Sequence, residues 1–173
     1  MDRVEQTFGN TGTANVGSLA VMAERINELV AQSTTAFTPE DLYFEGTVAG
    51  GGFLMFSTSS NVTVPVPNDK PRGALLTVSV EMETDHTNTS VDGCLEISYQ
   101  GNVIAAISSS FGAGPSRPTT IGAGSATVPF TTDGSGSAQF TLRFFGQMYN
   151  FLAASGTRWA RAENIIMTTS IGA

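Results

Sequence analysis

Apolar residues recur at two periods along this chain, and the change from one to the other falls near residue 40. Leu19, Met22, Ile26 and Leu29 are separated by 3, 4 and 3 positions, the a and d spacing of about two heptads. Ser18 supplies an N-cap and Pro39 a stop, and the helical stretch is expected to end in Ser33-Thr34-Thr35. Glu24, Arg25, Asn27 and Glu28 lie off the stripe. A lone helix of this length is marginal in water. With no second helical pattern in the chain to receive the stripe, the spacing predicts a short coiled-coil seam between copies. Packing of the helix on its own domain is the alternative.

From Leu42 onward the period is two. Ala74, Leu76, Val78, Val80 and Met82 alternate with Leu75, Thr77, Ser79, Glu81 and Glu83, the pattern of a strand with one buried face. Leu42–Val48, Leu95 to Tyr99, Val103 to Ile107, Ala126 to Phe130, Phe140 to Phe144 and Ile165 to Ile171 read the same way. The run Phe53-Leu54-Met55-Phe56 is apolar throughout and predicts a strand covered on both faces. Val62, Val64 and Val66 alternate cleanly, and Pro65 and Pro67 confine that strand to an edge. Gln100-Gly101-Asn102 reads as a tight hairpin loop, and Asp133-Gly134-Ser135-Gly136 as a turn. Phe111 to Gly124 and Gly146 to Gly156 read as long loops. Eight or nine short strands cut by turns predict an all-β, antiparallel, jelly-roll-like sandwich.

Three segments follow: an extended attachment arm (1–17), a helical stalk (18–35) and a β-sandwich head (36–173). The arm is polar and Gly-rich, and its own apolar surface cannot offset the entropy of ordering it. Phe8, its one aromatic residue, is the natural anchor on a partner surface.

The chain carries 8 basic and 15 acidic residues, a formal net charge of −7, which argues against binding to a phosphate backbone. Residues 1–45 hold seven acids and two bases, so the N-terminal part favours a neutral or basic docking surface. No apolar stretch approaches the roughly 20 residues of a membrane span. No basic segment followed by an apolar one suggests secretion, and synthesis in a cytoplasm is expected.

Catalytic chemistry finds little support. His86 is the only histidine and Cys94 the only cysteine, and no Gly-x-Ser-x-Gly elbow is present. A half-buried, inert thiol is the expected role of Cys94. Asp85, Asn88 and Asp92 offer oxygen atoms but match no calcium-loop spacing, and an Asx-rich turn is expected there. No metal or cofactor is expected. The one recognition motif is Met148-Tyr149-Asn150-Phe151, where aromatic rings interleave with amides in a stretch read as loop. It suits a sugar, a neighbouring subunit, or simply a loop folded over the sandwich end.

In its stalk (Ser18–Gln32) and in the strand-like runs 137–144 (SAQFTLRF) and 161–172 (RAENIIMTTSIG), the chain resembles a class of bacteriophage virion proteins. These join a short capsid- or tail-binding segment and a brief helical stalk to a trimeric jelly-roll head similar to the tumour-necrosis-factor fold. The resemblance implies a non-enzymatic homotrimer attached to a capsid or tail protein, located in the virion after assembly in the host cytoplasm. Capsid decoration, head fibre or small tail spike are the roles it suggests. A module binding a host receptor or surface glycan through distal loops of the head is the alternative.

Overall fold

A computed structural model describes residues 21–22, 34–84, 88–114 and 120–172. Among these, nine strands follow in chain order: β1 (Thr34–Phe37), β2 (Leu42–Val48), β3 (Phe53–Pro65), β4 (Gly73–Thr84), β5 (Thr89–Tyr99), β6 (Asn102–Gly112), β7 (Gly122–Thr131), β8 (Ser137–Asn150) and β9 (Gly156–Ile171). They make two antiparallel sheets. In the first, β9 lies between β4 and the edge formed by β1 and β2, and β7 flanks β4 on the far side. In the second the order is β3-β8-β5-β6.

The pairs β2–β9, β3–β8, β4–β7 and β5–β6 are those of one long antiparallel ribbon with its tip at Gln100 and Gly101. Rolling the ribbon up brings β9 against β4 and β8 against β5. The result is a jelly roll, two four-stranded sheets with β1 added at one edge. The tip is a two-residue loop with both residues at positive φ (51° and 78°), the geometry that matches strand twist.

Alternation explains why the ribbon closes. Leu76, Val78, Val80 and Met82 of β4 meet Phe140, Leu142, Phe144 and Met148 of β8 and Leu95 and Ile97 of β5 in one buried core. Each such side chain contributes about 1.5–3 kcal/mol when fully buried. At one end Tyr99, Phe130 and Phe140 pack ring on ring, with centroids 5.1–5.3 Å apart.

One bulge is essential to that core. Ser79 pairs with Ile166 but Glu81 with Glu163, so β9 carries one extra residue, and Asn164 takes a positive φ of 49°. The inward parity of β9 therefore changes, and Ala160, Ala162, Ile165 and Met167 all reach the interior.

Several expectations change. The strands expected at Phe53 to Phe56 and at Val62 to Val66 are not separate: β3 runs unbroken from Phe53 to Pro65, at the edge position that the prolines predict. Phe53 and Met55 are not covered on both faces, because alternation puts them on the outer face of the second sheet, which meets solvent; each is 63% exposed. The presumed loops 111–124 and 146–156 are shorter, since β6 reaches Gly112, β7 starts at Gly122, and β8 continues to Asn150. Of the helical stripe, Leu19, Ile26 and Leu29 lie outside the described residues. Met22 is helical and exposed, as is Val21. The coiled-coil helix is thus not seen, and Thr34 and Thr35, expected at its end, pair as strand with Ser170 and Thr169.

Candidate interaction surface

The β2–β3 turn and the segment after β8 are sewn into one tip of the sandwich. The Gly51 N–H donates to the Leu152 carbonyl at 2.8 Å, and the Asn150 N–H to the Gly52 carbonyl at 3.0 Å. Gly50 permits this approach, since a Cβ there would lie 1.9 Å from the Ala153 carbonyl oxygen. The fully buried Asn150 amide organises the segment. Its Nδ2 donates to the Ala154 carbonyl at 3.0 Å, and its Oδ1 accepts from the Leu152 N–H at 3.0 Å.

Around this tip several apolar side chains face solvent: Phe53 and Met55 on β3, and Phe151 and Leu152 after β8. Phe53 stands opposite Tyr149 on β8, and Tyr149 meets Phe151 edge to face at 4.7 Å. Polar groups adjoin the rings. Met55, Gln147, Asp92 and Ser110 form one row across the four strands, and the Ser110 hydroxyl donates to Asp92 at 2.6 Å. Two residues along β8 from Gln147 stands Phe145, and the Arg143 guanidinium sits 4.5 Å from its ring centroid and donates to Ser57 Oγ at 3.0 Å. Contiguous exposed apolar surface rimmed by such groups marks an interaction site.

The recognition motif read from sequence divides here by the alternation of β8. Met148 and Asn150 point inward and are buried, whereas Tyr149 and Phe151 belong to the surface. Phe53, Met55, Gln147 and Asp92 join them from other strands. Phe8 and His86 lie outside the described residues. Cys94 is half-buried on the outer side of β5, between Phe145 and Ser108. Among the described residues, no cluster of three or more His, Cys, Asp or Glu side chains could hold a metal ion.

The outer side of the first sheet carries a charged cluster instead. Arg161 pairs with Glu83, with Glu163 at 2.8 Å and with Asp41 at 3.9 Å, and lies 5.8 Å from the Trp159 ring. The hydrogen bond to Glu83 raises the Arg161 pKa further. Burial, followed by the repulsion of Glu83, pushes the Glu163 carboxyl above its ordinary range despite Arg161. Beside it the Tyr43 hydroxyl donates to Glu45 at 2.5 Å, which raises the phenol pKa.

No protein-family model and no curated protein matches the chain. Among solved structures it is similar to the VP2 subviral particle of infectious bursal disease virus, at 11% identity over 81% of this chain and 33% of that one, with a TM-score of 0.42. It is similar also to latent PorU of Porphyromonas gingivalis (8% identity, 82% of this chain and 14% of that one, TM-score 0.41). A third structure, described as CBM4 structure and function, matches at 14% identity over 79% of this chain and 77% of that one, with a TM-score of 0.34. The chain spans about one third of the VP2 chain's length.

Proposed function

We propose that this chain is a non-enzymatic structural subunit of a bacteriophage particle, attached through residues 1–17 and projecting its jelly-roll head as a decoration, head fibre or tail-associated spike. The observation that carries this reading is the head itself. It is a jelly roll in which four of the exposed apolar side chains, Phe53, Met55, Phe151 and Leu152, lie at one tip. A shell subunit needs such a rigid body with a surface left for neighbours, and the acidic N-terminal part supplies a second, chemically different contact.

Purified particles of the parent phage test this directly. Quantitative mass spectrometry should find the chain in fixed stoichiometry to the capsid or tail proteins, and deletion of residues 1–15 should abolish its incorporation while the head stays folded. Particles that lack the chain, or that retain it fully after the deletion, rule out the attachment role.

A glycan-binding head is the second reading. It is favoured by the Tyr149–Phe151 ring pair beside Gln147 and Asp92, since rings stack on sugar faces while amides and carboxylates bind hydroxyls. Binding of the isolated chain to a glycan array, lost in Tyr149→Ala, is its test.

A further inference from the structure

The outer edge of β3 has features that natural sheet edges avoid. An unpaired strand edge is a template for another strand, and proteins guard it with charge, proline, a bulge, brevity or a cover. Among the described strands, the other edges carry such guards. β1 has four residues, β2 contains Glu45, β7 contains Pro129, and β6 has an extra residue at Ile104 and lies close to β7. β3 is thirteen residues long, FLMFSTSSNVTVP, without one charged side chain, and it pairs with β8 from end to end with no register shift. Within its own sequence the one guard is Pro65, at the last position.

Part of the edge is covered. β2 lies over the start of β3, where Phe44 stacks on Phe56 at 5.5 Å and Leu54 packs against Gly46. Among the described residues, the stretch left without a neighbouring strand is 57–65, whose outward side chains are Ser57, Ser59, Asn61, Thr63 and Pro65, all exposed.

We infer that this stretch is a self-pairing edge, taken by β3 of a second copy of the chain running antiparallel about Asn61. The occupant follows from charge and symmetry. The chain is strongly acidic overall, so two copies repel each other wherever acidic surface meets. β3, like β7, carries no charged side chain, so that repulsion is small there, and unlike β7 it has no proline within its open stretch before the last position. Antiparallel pairing about Asn61 sets Ser59 beside Thr63 of the other copy on both sides of the axis, small hydroxyl side chains that hydrogen-bond well across strands. A two-fold contact of this kind uses one edge per copy and closes, joining the two β3-β8-β5-β6 sheets without promoting fibres. The pairing does not depend on the particle reading, because it concerns the free chain in solution.

Sedimentation velocity on the full chain over a concentration series, with a near-UV circular dichroism check of folding, tests it. The wild type should self-associate in the micromolar range. Ser59→Lys/Thr63→Lys places Lys beside Lys twice and should weaken association about tenfold or more. Ser59→Glu/Thr63→Glu should do the same. An equimolar mixture of the Lys and Glu chains should recover association, which a fold defect in either cannot mimic. A wild type that stays monomeric at tens of micromolar overturns the pairing. So does a Lys variant that associates like the wild type, or a mixture that fails to associate.

Discussion

Gly93 and Gly146 stand directly opposite each other across the β5–β8 ladder, and the room they leave is filled by phenylalanine rings. A Cβ on Gly93 would meet Phe111 at 2.9 Å and Phe144 at 3.0 Å, and Phe56 is the register partner of Gly146 on β3. Phe56 and Phe144 pack edge to face at 5.0 Å. The absence of two side chains thus fixes where the largest ones go.

A Cβ at Gly146 would fall 2.1 Å from the Asp92 carbonyl oxygen and 3.0 Å from the Gly93 Cα, both backbone. Backbone cannot turn aside, so Gly146→Ala should cost about 3 kcal/mol or more by forcing the two strands apart. Gly101→Ala meets nothing within 4 Å but sits at φ +78°, and should cost only about 1 kcal/mol. Urea unfolding of both variants gives the comparison; equal losses would contradict the steric account.

Asn164 holds the β9 bulge from the left-handed region, and its Nδ2 donates to Glu81 Oε2 at 2.7 Å. A β-branched residue is strained there. Asn164→Val should destabilise the fold by about 1–3 kcal/mol, whereas Asn164→Gly keeps the conformation and loses only an exposed hydrogen bond. Thermal unfolding should rank Gly above Val.

Glu163 sets a pH dependence of definite sign. Its carboxyl binds a proton more tightly in the folded chain than in the unfolded one, chiefly because it is buried and secondly because Glu83 is near. The folded state therefore holds more protons across that window, and the contribution of this group to stability falls as pH rises from the ordinary glutamate range through its raised value. Glu163→Gln should flatten the stability profile as pH rises above the ordinary glutamate range, about pH 4, relative to wild type. A variant with an unchanged slope in denaturant titrations would remove Glu163 as the cause.

Phe53 and Phe151 contribute surface rather than core. Phe53→Ser/Phe151→Ser should alter stability by no more than about 0.5 kcal/mol per site, the usual range for surface positions. Retention on a hydrophobic-interaction column should fall clearly. Unchanged retention would mean that the tip is not the accessible apolar patch.

Alternation alone determined which residues of β4, β5 and β8 line the interior, because the side-chain period of a strand is a local property, and Leu76, Ile97 and Phe140 sit where it puts them. The tight turn at Gln100-Gly101 and the edge position implied by Pro65 were equally legible, since both follow from what a single residue's backbone permits. Half of the interaction surface could be read as well, through Tyr149 and Phe151. The other half could not. Whether Phe53 and Met55 are covered depends on what packs on the outer face of their sheet, and an apolar run looks the same whether that face is covered or open. The partners of β9, the place of the Asn164 bulge opposite Val80, and the meeting of Gln147 with Asp92 join residues more than fifty positions apart. Such contacts exist only once the ribbon has rolled up, so tertiary structure alone decided which surface the head leaves open.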